Sequence, residues 1–368
     1  MNTDVLIVKA EKSPLTNSKV LLPNQLYKNP FLSIEQRKLC ELEDNKIRLK
    51  MIYVGICGTD LHLVNNNKIT GYITSSAPVD IPRDGRVIGH EGVGEVIQVG
   101  KNVRNIKTGM IVTLESIITC GYCEYCKNGN YNQCENSKLL GFETDGLMGN
   151  VVDVDASIAH DVTKYIKNEE DLKSMACIEP AGVAFVACEN ANILPGDNVV
   201  IFGGGPIGAY IAMFSRKIFG ASEIYIVEPV EFRRKILKKW TDNVYEKVDY
   251  IKDNIENINI IFEASGELEN INHIFESLAP NGKVVLLGRS GRELNLKNVD
   301  HMITNNIKII GSRGHLGGAF FKIFKLYSKG MIDLNHIITT EIVGLSSLKE
   351  ILTNDFIHMN CKAIVKLK

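Results

Sequence analysis

The fold is decided by residues 198–208, which read Asn-Val-Val-Ile-Phe-Gly-Gly-Gly-Pro-Ile-Gly. The apolar run predicts a buried strand, and the glycines after it have the G-x-G-x-x-G spacing of a dinucleotide-binding turn. Gly203 permits the tight turn from strand to helix, Gly205 lets the backbone approach a pyrophosphate, and Gly208 lets the helix pack on the strand. We therefore predict a dinucleotide site, with its phosphates at the helix amino terminus.

The residues around this turn support the same prediction. Pro206 and Ile207 open a helix-like segment, and a second apolar strand, 223–227, ends at Glu228. This acid follows Gly208 at a distance of about 20 residues, where a carboxylate binds the ribose hydroxyls of NAD. A glycine-rich turn without a ligand would not explain an acid at that distance.

The carboxylate of Glu228 would also repel a 2′-phosphate, which favours NAD over NADP. Arg233 and Arg234 leave an alternative open, because either guanidinium could receive that phosphate. We favour the interpretation that both arginines lie on a solvated helix face with the lysines around them. Arg233 remains a candidate cofactor contact.

Further apolar runs at 258–262, 283–287 and 307–310 alternate with helix-like segments. This alternation predicts a doubly wound parallel sheet, so the fold class is α/β with a Rossmann-type domain. Gly288 follows one of these strands at its carboxyl end, where a nicotinamide would lie.

A chain of 368 residues is too long for one ordinary core and predicts two domains. Short alternating apolar runs from residue 4 to 109 predict an antiparallel, β-rich first domain. The formal net charge of −1, with mixed signs, argues against a nucleic-acid or anionic membrane surface. No apolar run approaches the roughly 20 residues of a membrane span, and the amino terminus does not resemble a signal peptide. We expect a cytoplasmic protein without nucleic-acid or membrane partners.

Four cysteines lie close together in the sequence: Cys120, Cys123, Cys126 and Cys134. Four thiolates at this spacing can form a closed tetrahedral set with no position for a substrate, which is typical of a structural zinc. A disulfide is a weak alternative because residues three apart are poorly placed to bridge. An iron–sulfur cluster is the other alternative, since its ligand runs also have two-residue gaps.

A second group of potential ligands lies in two glycine-dense segments. Cys57 lies in residues 54–62, Val-Gly-Ile-Cys-Gly-Thr-Asp-Leu-His, and His90 and Glu91 lie in residues 87–96. Cys, His and carboxylate side chains bind zinc, and a catalytic site takes three of them and leaves one position open. The residues alone leave two interpretations open, a metal site and a set of ordinary buried side chains.

Residues 55–62 and 89–94 resemble the two signatures of the zinc-dependent medium-chain dehydrogenases, which include alcohol, sorbitol, threonine and archaeal glucose dehydrogenases. The resemblance implies that Cys57 and His90 bind a catalytic zinc and that Glu91 is a direct or exchanging ligand. It also implies that the cysteine cluster holds a second zinc.

The resemblance covers essentially the whole chain and implies its domain organisation. A GroES-like, β-rich catalytic domain would occupy residues 1–180, with the structural zinc lobe at about 115–138. The NAD-binding Rossmann domain would occupy residues 181–316, and residues 317–368 would return to the catalytic domain.

The pair Glu179-Pro180 is similar to the acidic residue and proline that polyol, glucose and threonine dehydrogenases have near the zinc. Typical alcohol dehydrogenases have a third zinc ligand, a cysteine, in this place. Cys177 would share a face with Glu179 if the segment were extended, so geometry alone does not exclude it. The resemblance favours Glu179 at the zinc and Cys177 in the core.

The family uses a Ser or Thr, and often a His, to release the proton, and Thr59 and His62 occupy these places. The Thr59 hydroxyl could contact the substrate oxygen, and His62 would lie one helical turn further on. The alternatives are that Thr59 only caps a short helix and that His62 is a surface residue.

The resemblance implies an NAD- and zinc-dependent enzyme that reversibly oxidises a secondary alcohol of a polyol, a sugar or a similar small molecule. Polyols are suggested by Glu179 and by the polar, Asn-rich connection at 65–85, which could be a lid, a substrate wall or a tolerated insertion. We expect a homo-dimer or a homo-tetramer.

Threonine dehydrogenase-like oxidation of an amino alcohol is the nearest alternative activity. A non-catalytic, nucleotide-sensing zinc protein is an alternative from another class. The retained Cys57, His90 and Glu179 argue against that class, because a binding protein has no use for an open metal site. The same residues disfavour a zinc-free quinone reductase.

Overall fold

The computed structural model describes residues 2–15, 23–251, 255–353 and 360–367. The chain folds into two compact units. The first unit comprises Met1–Glu179, Ile338–Ile357 and Lys362–Lys368, and the second comprises Pro180–Ile337 and His358–Cys361. Within the described residues, no helix has the length and apolar character needed to cross a bilayer.

The first part of the chain is rich in strands, as predicted. Its strands are β1 (Asn2–Lys12), β2 (Tyr27–Lys38), β3 (Lys46–Gly55), β4 (Arg86–Val87), β5 (Glu91–Val99), β6 (Ile111–Leu114), β7 (Ile117–Ile118), β8 (Lys138–Leu139), β9 (Val151–Asp155) and β10 (Ala159–Asp161). The helices described in this part of the chain are α1 (Gly58–Val64), α2 (Glu124–Lys127) and α3 (Glu169–Ala176).

The second unit alternates strands and helices. After α4 (Ile178–Ala191) it contains β11 (Val199–Phe202), α5 (Pro206–Lys217), β12 (Ile224–Val227), α6 (Glu231–Leu237), β13 (Val244–Tyr245), β14 (Ile258–Glu263), α7 (Asn270–Ile274), β15 (Leu278–Leu286), α8 (Val299–Thr304), β16 (Lys308–Gly311) and α9 (Ala319–Ser328). The strands form one sheet in the order β13-β12-β11-β14-β15-β16, and every pair is parallel. This 3-2-1-4-5-6 order is that of the doubly wound Rossmann fold, so the predicted fold class is confirmed.

The remaining elements are β17 (Ile338–Val343), α10 (Gly344–Thr353) and β18 (Lys362–Lys366). They complete a seven-stranded sheet in the order β10-β6-β5-β3-β18-β17, with β9 also paired to β3. Its pairs are antiparallel except β17 with β18. A second sheet has the order β2-β1-β4, and β7 pairs with β8. Short 3₁₀ turns lie at Pro23–Gln25, Tyr131–Gln133, Ala156–Ile158, Thr163–Tyr165, Val248–Tyr250, Phe275–Ser277 and Asn335–Ile337.

The chain returns to the first unit at Ile338, which is later than the residue 317 predicted from the sequence. The preceding residues stay with the second unit because their side chains and backbone are bound there. The Tyr210 hydroxyl donates to the Leu334 carbonyl (2.7 Å). Phe320 is fully buried, and its ring lies directly beside the backbone of Gly182, where a larger residue would collide with it.

Candidate metal centres and dinucleotide site

The four cysteines of the lobe are brought together around α2 and the turn after it. Their ligand atoms all lie within 4.8 Å of one another. The Sγ atom of Cys134 lies 3.6 Å from that of Cys120 and 3.9 Å from that of Cys123, too far for an S–S bond of about 2.05 Å. Four sulfurs around a zinc at about 2.3 Å would be separated by roughly 3.8 Å. The geometry therefore fits a shared ion and removes the disulfide alternative.

Backbone amides in this lobe also donate hydrogen bonds that stabilise thiolates. The amide of Cys123 donates to the Cys120 sulfur, and the amide of Cys120 donates to the Cys134 sulfur, both at 3.4 Å. Burial opposes ionisation of Cys120, but N–H donors from Tyr122 and Cys123 outweigh it and lower its pKa to about 6. A thiolate is the form that binds a metal.

The open group of ligands is assembled by the pairing of β3 with β5. This pairing sets Gly55 opposite Glu91, so the turn after β3 carries Cys57 to His90. The ligand atoms of Cys57, His90 and Glu91 lie within 4.8 Å of one another. A Cβ at residue 55 would lie 2.3 Å from the Glu91 carboxylate, so only glycine leaves room there. These three donors match the predicted open zinc site in ligand type and number.

Asp60 is a residue of this centre that sequence reasoning missed. Its side chain is fully buried, Oδ2 accepts from the Cys57 amide (3.0 Å), and Oδ1 lies 3.3 Å from His90 Nδ1. A carboxylate on one ring nitrogen holds the imidazole with its other nitrogen toward a metal. Burial would lower the pKa of His90, but Asp60 and Cys57 together outweigh it and raise that pKa well above the ordinary value. The available signal was an acid three residues after the helix N-cap, Cys57.

Lys362 is a second missed residue. It is fully buried on β18, forms an ion pair with Glu91, and donates to the carbonyl of Ile56 (2.8 Å). Burial would lower the pKa of Lys362, but the Glu91 carboxylate outweighs it and raises that pKa. A buried ammonium paired with a candidate ligand fixes where that carboxylate lies.

Glu179 lies at the start of α4, buried beside Ser116, whose hydroxyl donates to its Oε1 at 2.7 Å. Burial raises the pKa of Glu179 to about 7, and the nearby Glu91 carboxylate adds to that effect. Glu179 does not belong to the three-donor group, but it lies close enough to His90 and Glu91 for their charges to act on its carboxylate. Cys177 is the C-cap of α3, and α4 begins at Ile178, so the segment from Cys177 to Glu179 is not extended and the shared face does not arise.

The two candidate proton-transfer residues both lie on α1. The Thr59 hydroxyl donates to the Cys57 sulfur at 3.0 Å, and Cys57, not Thr59, occupies the N-cap position. His62 is exposed, and its Nδ1 lies 3.2 Å from the Thr74 hydroxyl. Thr59 is thus held at a candidate ligand, whereas His62 lies at the surface with a polar neighbour.

The Asn-rich connection is packed against the first unit. Ile73, Ala77 and Ile81 are buried in its core, and Thr74 donates to the His62 carbonyl at 3.1 Å. Ile69, at the tip, is almost fully exposed. The connection therefore contributes core side chains and borders α1.

The three glycines of the dinucleotide turn, Gly203, Gly205 and Gly208, differ in conformation and surroundings. Gly203 has a φ of +95°, which favours glycine. A Cβ at Gly208 would lie 1.9 Å from the Gly203 carbonyl oxygen, so the close approach of helix to strand requires glycine. A Cβ at Gly205 would meet none of the described atoms within 4 Å. Gly205 is also the N-cap of α5, followed by Pro206 and Ile207, which leaves open space at the helix amino terminus.

Glu228 lies directly after β12 and is almost fully buried. Its Oε2 accepts from the Gly204 amide (2.7 Å), and its Oε1 accepts from the Val230 amide (2.8 Å). The carboxylate is thereby fixed against the glycine turn. This is the place from which an acid accepts hydrogen bonds from the ribose hydroxyls of a dinucleotide.

The solvated helix face predicted for the two arginines is wrong. Arg233 Nε donates to the Asn360 carbonyl (2.8 Å), and Arg233 Nη1 lies 3.7 Å from Glu228 Oε2. Arg234 Nη1 donates to the carbonyls of Glu228 and Pro229. The Arg234 guanidinium folds back toward the start of α6 because carbonyls there accept hydrogen bonds from it, whereas the Arg233 guanidinium is held by the carbonyl of Asn360. Arg233 lies beside the Glu228 carboxylate.

Comparison with known proteins agrees with this architecture. Residues 43–164 match the alcohol dehydrogenase GroES-like domain, and residues 206–329 match the zinc-binding dehydrogenase family. L-threonine 3-dehydrogenase of Pyrococcus furiosus is 30% identical over 83% of this chain and 86% of its own. Scyllo-inosose 3-dehydrogenase of Thermotoga maritima is 30% identical over 87% and 86%.

Sorbitol dehydrogenase of Bacillus subtilis is 28% identical over 84% of this chain and 86% of its own. The structure of an alcohol dehydrogenase from Thermotoga maritima superposes with a TM-score of 0.87 at 25% identity, covering 99% of this chain and all of that one. The predicted cofactor types, zinc and a nicotinamide dinucleotide, are supported by these matches. The chain is therefore an enzyme of the zinc-dependent medium-chain dehydrogenase family.

Proposed function

We propose that this enzyme oxidises a secondary alcohol of a polyol or a sugar to a ketone, reversibly and with NAD. The observation that carries the proposal is the three-donor group of Cys57, His90 and Glu91 with the buried Glu179 beside it. Three donors leave a position open for a substrate oxygen. Relatives named scyllo-inosose 3-dehydrogenase, sorbitol dehydrogenase and D-xylulose reductase support a polyhydroxylated substrate.

Zinc at this site would polarise the substrate hydroxyl and lower its pKa, and the dinucleotide would accept the hydride. Asp60 holds the His90 ring in place, and Lys362 holds the Glu91 carboxylate. Thr59 is positioned at the Cys57 sulfur, where its hydroxyl can take the proton of the substrate alcohol and release its own proton to water. His62, exposed on the same helix, can deliver a proton to water.

Glu228 supports a preference for NAD over NADP. Its carboxylate is buried at the glycine turn and would repel a 2′-phosphate. Arg233 does not offset this effect in the described structure, because its guanidinium is engaged with Asn360 and lies near the same carboxylate.

Oxidation of the hydroxyl of threonine is a second candidate activity. It is favoured by the relatives named L-threonine 3-dehydrogenase, which are 29% or 30% identical over 83% of this chain. The two substrates differ in charge, since threonine carries an ammonium and a carboxylate and polyols carry neither. A substrate screen therefore separates them directly.

The decisive experiment is a screen of polyols, sugars and amino alcohols for the NADH absorbance that appears on oxidation. Wild type should reduce NAD with at least one polyol or sugar, and His90→Ala should not. Cys40→Ser, which changes an exposed cysteine of the same unit, is the matched control and should behave as wild type. Activity with threonine and with no polyol would overturn the polyol proposal. Activity in His90→Ala equal to wild type would overturn the metal assignment.

The cytoplasmic location and the homo-dimer or homo-tetramer remain part of the proposal. Unbridged thiols in the cysteine lobe support a reducing compartment. Light scattering of the purified enzyme gives the subunit number, and a monomer would contradict the proposed assembly.

A further inference from the structure

Glu263 is a fully buried acid at the carboxyl end of β14, in the middle of the parallel sheet. One carboxylate oxygen, Oε1, accepts hydrogen bonds from the amides of Ser265 and Gly266, both at 2.8 Å, and from the Ser265 hydroxyl. A single buried oxygen thus holds the whole turn that follows the strand.

The backbone of Glu263 binds the neighbouring strand in the same place. Its carbonyl accepts from the amides of Leu287 (2.9 Å) and Gly288 (3.0 Å), just beyond the end of β15. A Cβ at Gly288 would lie 2.7 Å from Glu263 Oε2 and 2.5 Å from the Gly266 amide. The glycine at residue 288 is therefore required by the way Glu263 folds this turn.

The turn after β14 also touches the dinucleotide turn after β11. A Cβ at Gly203 would lie 2.9 Å from the Ala264 carbonyl oxygen and 3.0 Å from the Ser265 amide. The amide of Ala264 donates to the Phe202 carbonyl at 2.9 Å. The ends of three adjacent strands, β11, β14 and β15, are thereby fixed to one another through Glu263 and the two residues after it.

Glu263 Oε2 has no hydrogen-bond partner among the described residues, although it is buried. Burying an unpaired carboxylate oxygen is costly, and in a sheet built only for stability an apolar residue would fill this place. In open α/β sheets ligands bind at the carboxyl ends of the strands, beside the point where the strand order reverses. In this sheet the order reverses between β11 and β14, where Glu263 lies.

We propose that Glu263 is a positioning residue for the dinucleotide. It fixes the Ser265–Gly266 turn against Gly203 and Gly288, and so sets the surface that receives the cofactor. The proposal rests on the dinucleotide site of the proposed function. It adds a residue that lies outside the glycine motif and that need not touch the cofactor itself.

The test is the dissociation constant of NADH, measured by its fluorescence, in wild type, Glu263→Gln and Glu263→Ala. Alanine leaves the buried amide of Gly266, the part-buried amide of Ser265 and the Ser265 hydroxyl without their acceptor, so the constant should rise by about 10-fold or more. Glutamine retains one carbonyl oxygen for these donors and should recover most of the affinity. Glu267→Gln is the matched control, because this exposed acid of the same turn pairs with Arg292 and should leave NADH binding within about 2-fold of wild type.

A second measurement separates positioning from stability. Gly288 lies at the end of the strand where the nicotinamide would bind, and ADP lacks the nicotinamide half. If replacing Glu263 displaces Gly288, the dissociation constant of ADP should therefore change less than that of NADH. Equal weakening of both ligands, or a fall in melting temperature with no change in NADH affinity, would overturn the proposal. If Glu263→Ala does not fold, Ser265→Ala carries the test, because it removes the hydroxyl that donates to Glu263 Oε1, and unchanged NADH affinity in this variant would overturn the proposal. Failure of wild type itself to bind NADH or NADPH would instead refute the dinucleotide site.

Discussion

Replacing Asp60 by Asn should weaken zinc binding at Cys57, His90 and Glu91 while leaving the fold intact. The Asp60 carboxylate is fully buried, accepts from the Cys57 amide and lies 3.3 Å from His90 Nδ1. Asn keeps an oxygen for the Cys57 amide and is compatible with the start of a helix, so α1 should form. It loses the negative charge that orients the imidazole. Losing such a partner typically costs 10- to 100-fold in metal affinity, or about 1.4–2.8 kcal/mol.

The assay is titration of the zinc-loaded enzyme with a chromophoric chelator, which reports how much zinc leaves and at what chelator concentration. Wild type should release one zinc easily and retain the one in the cysteine lobe. Asp60→Asn should release the first at a 10- to 100-fold lower chelator concentration and retain the second. Asp84→Asn is the matched control, because Asp84 is a highly exposed acid of the same unit. Release at the wild-type concentration would refute the orienting role, and simultaneous loss of both zincs with unfolding would show that Asp60 acts only on stability.

Four further predictions concern the proposed activity. Brief chelation should abolish activity and lower the zinc content from two per chain to one. The zinc in the cysteine lobe should stay, because four thiolates hold it in a closed set. Untreated active protein with one zinc or none would contradict this prediction. Thr59→Ala should lower kcat by about 10²–10⁴ with little change in NAD binding. The measurement is made under conditions in which an isotope effect shows that hydride transfer limits the rate. A near-normal kcat there would exclude proton transfer through the Thr59 hydroxyl. His62→Ala should cost less and be partly restored by small added bases. Glu228→Ala should raise kcat/KM for NADP relative to NAD, whereas a wild-type preference for NADP would implicate Arg233 or Arg234 in binding the phosphate.

The parts of the fold that were predictable are those that depend on local sequence. The glycine turn at 203–208 and its flanking strands were predicted within a residue or two because an apolar run and a glycine spacing are both short-range signals. The start of β15 was missed by five residues, at Leu278 instead of Lys283. The register with β14 shifts there, and Asn281 has a positive φ of +64°, so Pro280, Asn281 and Gly282 resemble a loop.

The parts of the site that were not predictable depend on distant pairings. Lys362 on a terminal strand resembles a surface lysine, and only the pairing of β18 with β3 carries it to the Ile56 carbonyl and Glu91. Ser116 reaches Glu179 across 63 residues of sequence. Asp60 lies within the glycine-dense segment 54–62, but its contact with His90 follows from the pairing of β3 with β5. A sequence motif identifies the side chains that could bind the metal. The residues that orient those side chains are brought to them by the pairing of distant strands.

The buried charges around the open group of ligands explain why a divalent cation would be stabilised there. Asp60, Glu91 and Glu179 are each at most 6% exposed, and the Cys57 thiol would add a negative charge on binding a metal. Lys362 offsets one of these charges through Glu91. Buried charges that are not offset are costly, and the rise of the pKa of Glu179 to about 7 is one sign of that cost. A doubly charged zinc would offset the thiolate and a second carboxylate. The acids missed or left uncertain from the sequence therefore support the same metal as the ligands that were predicted.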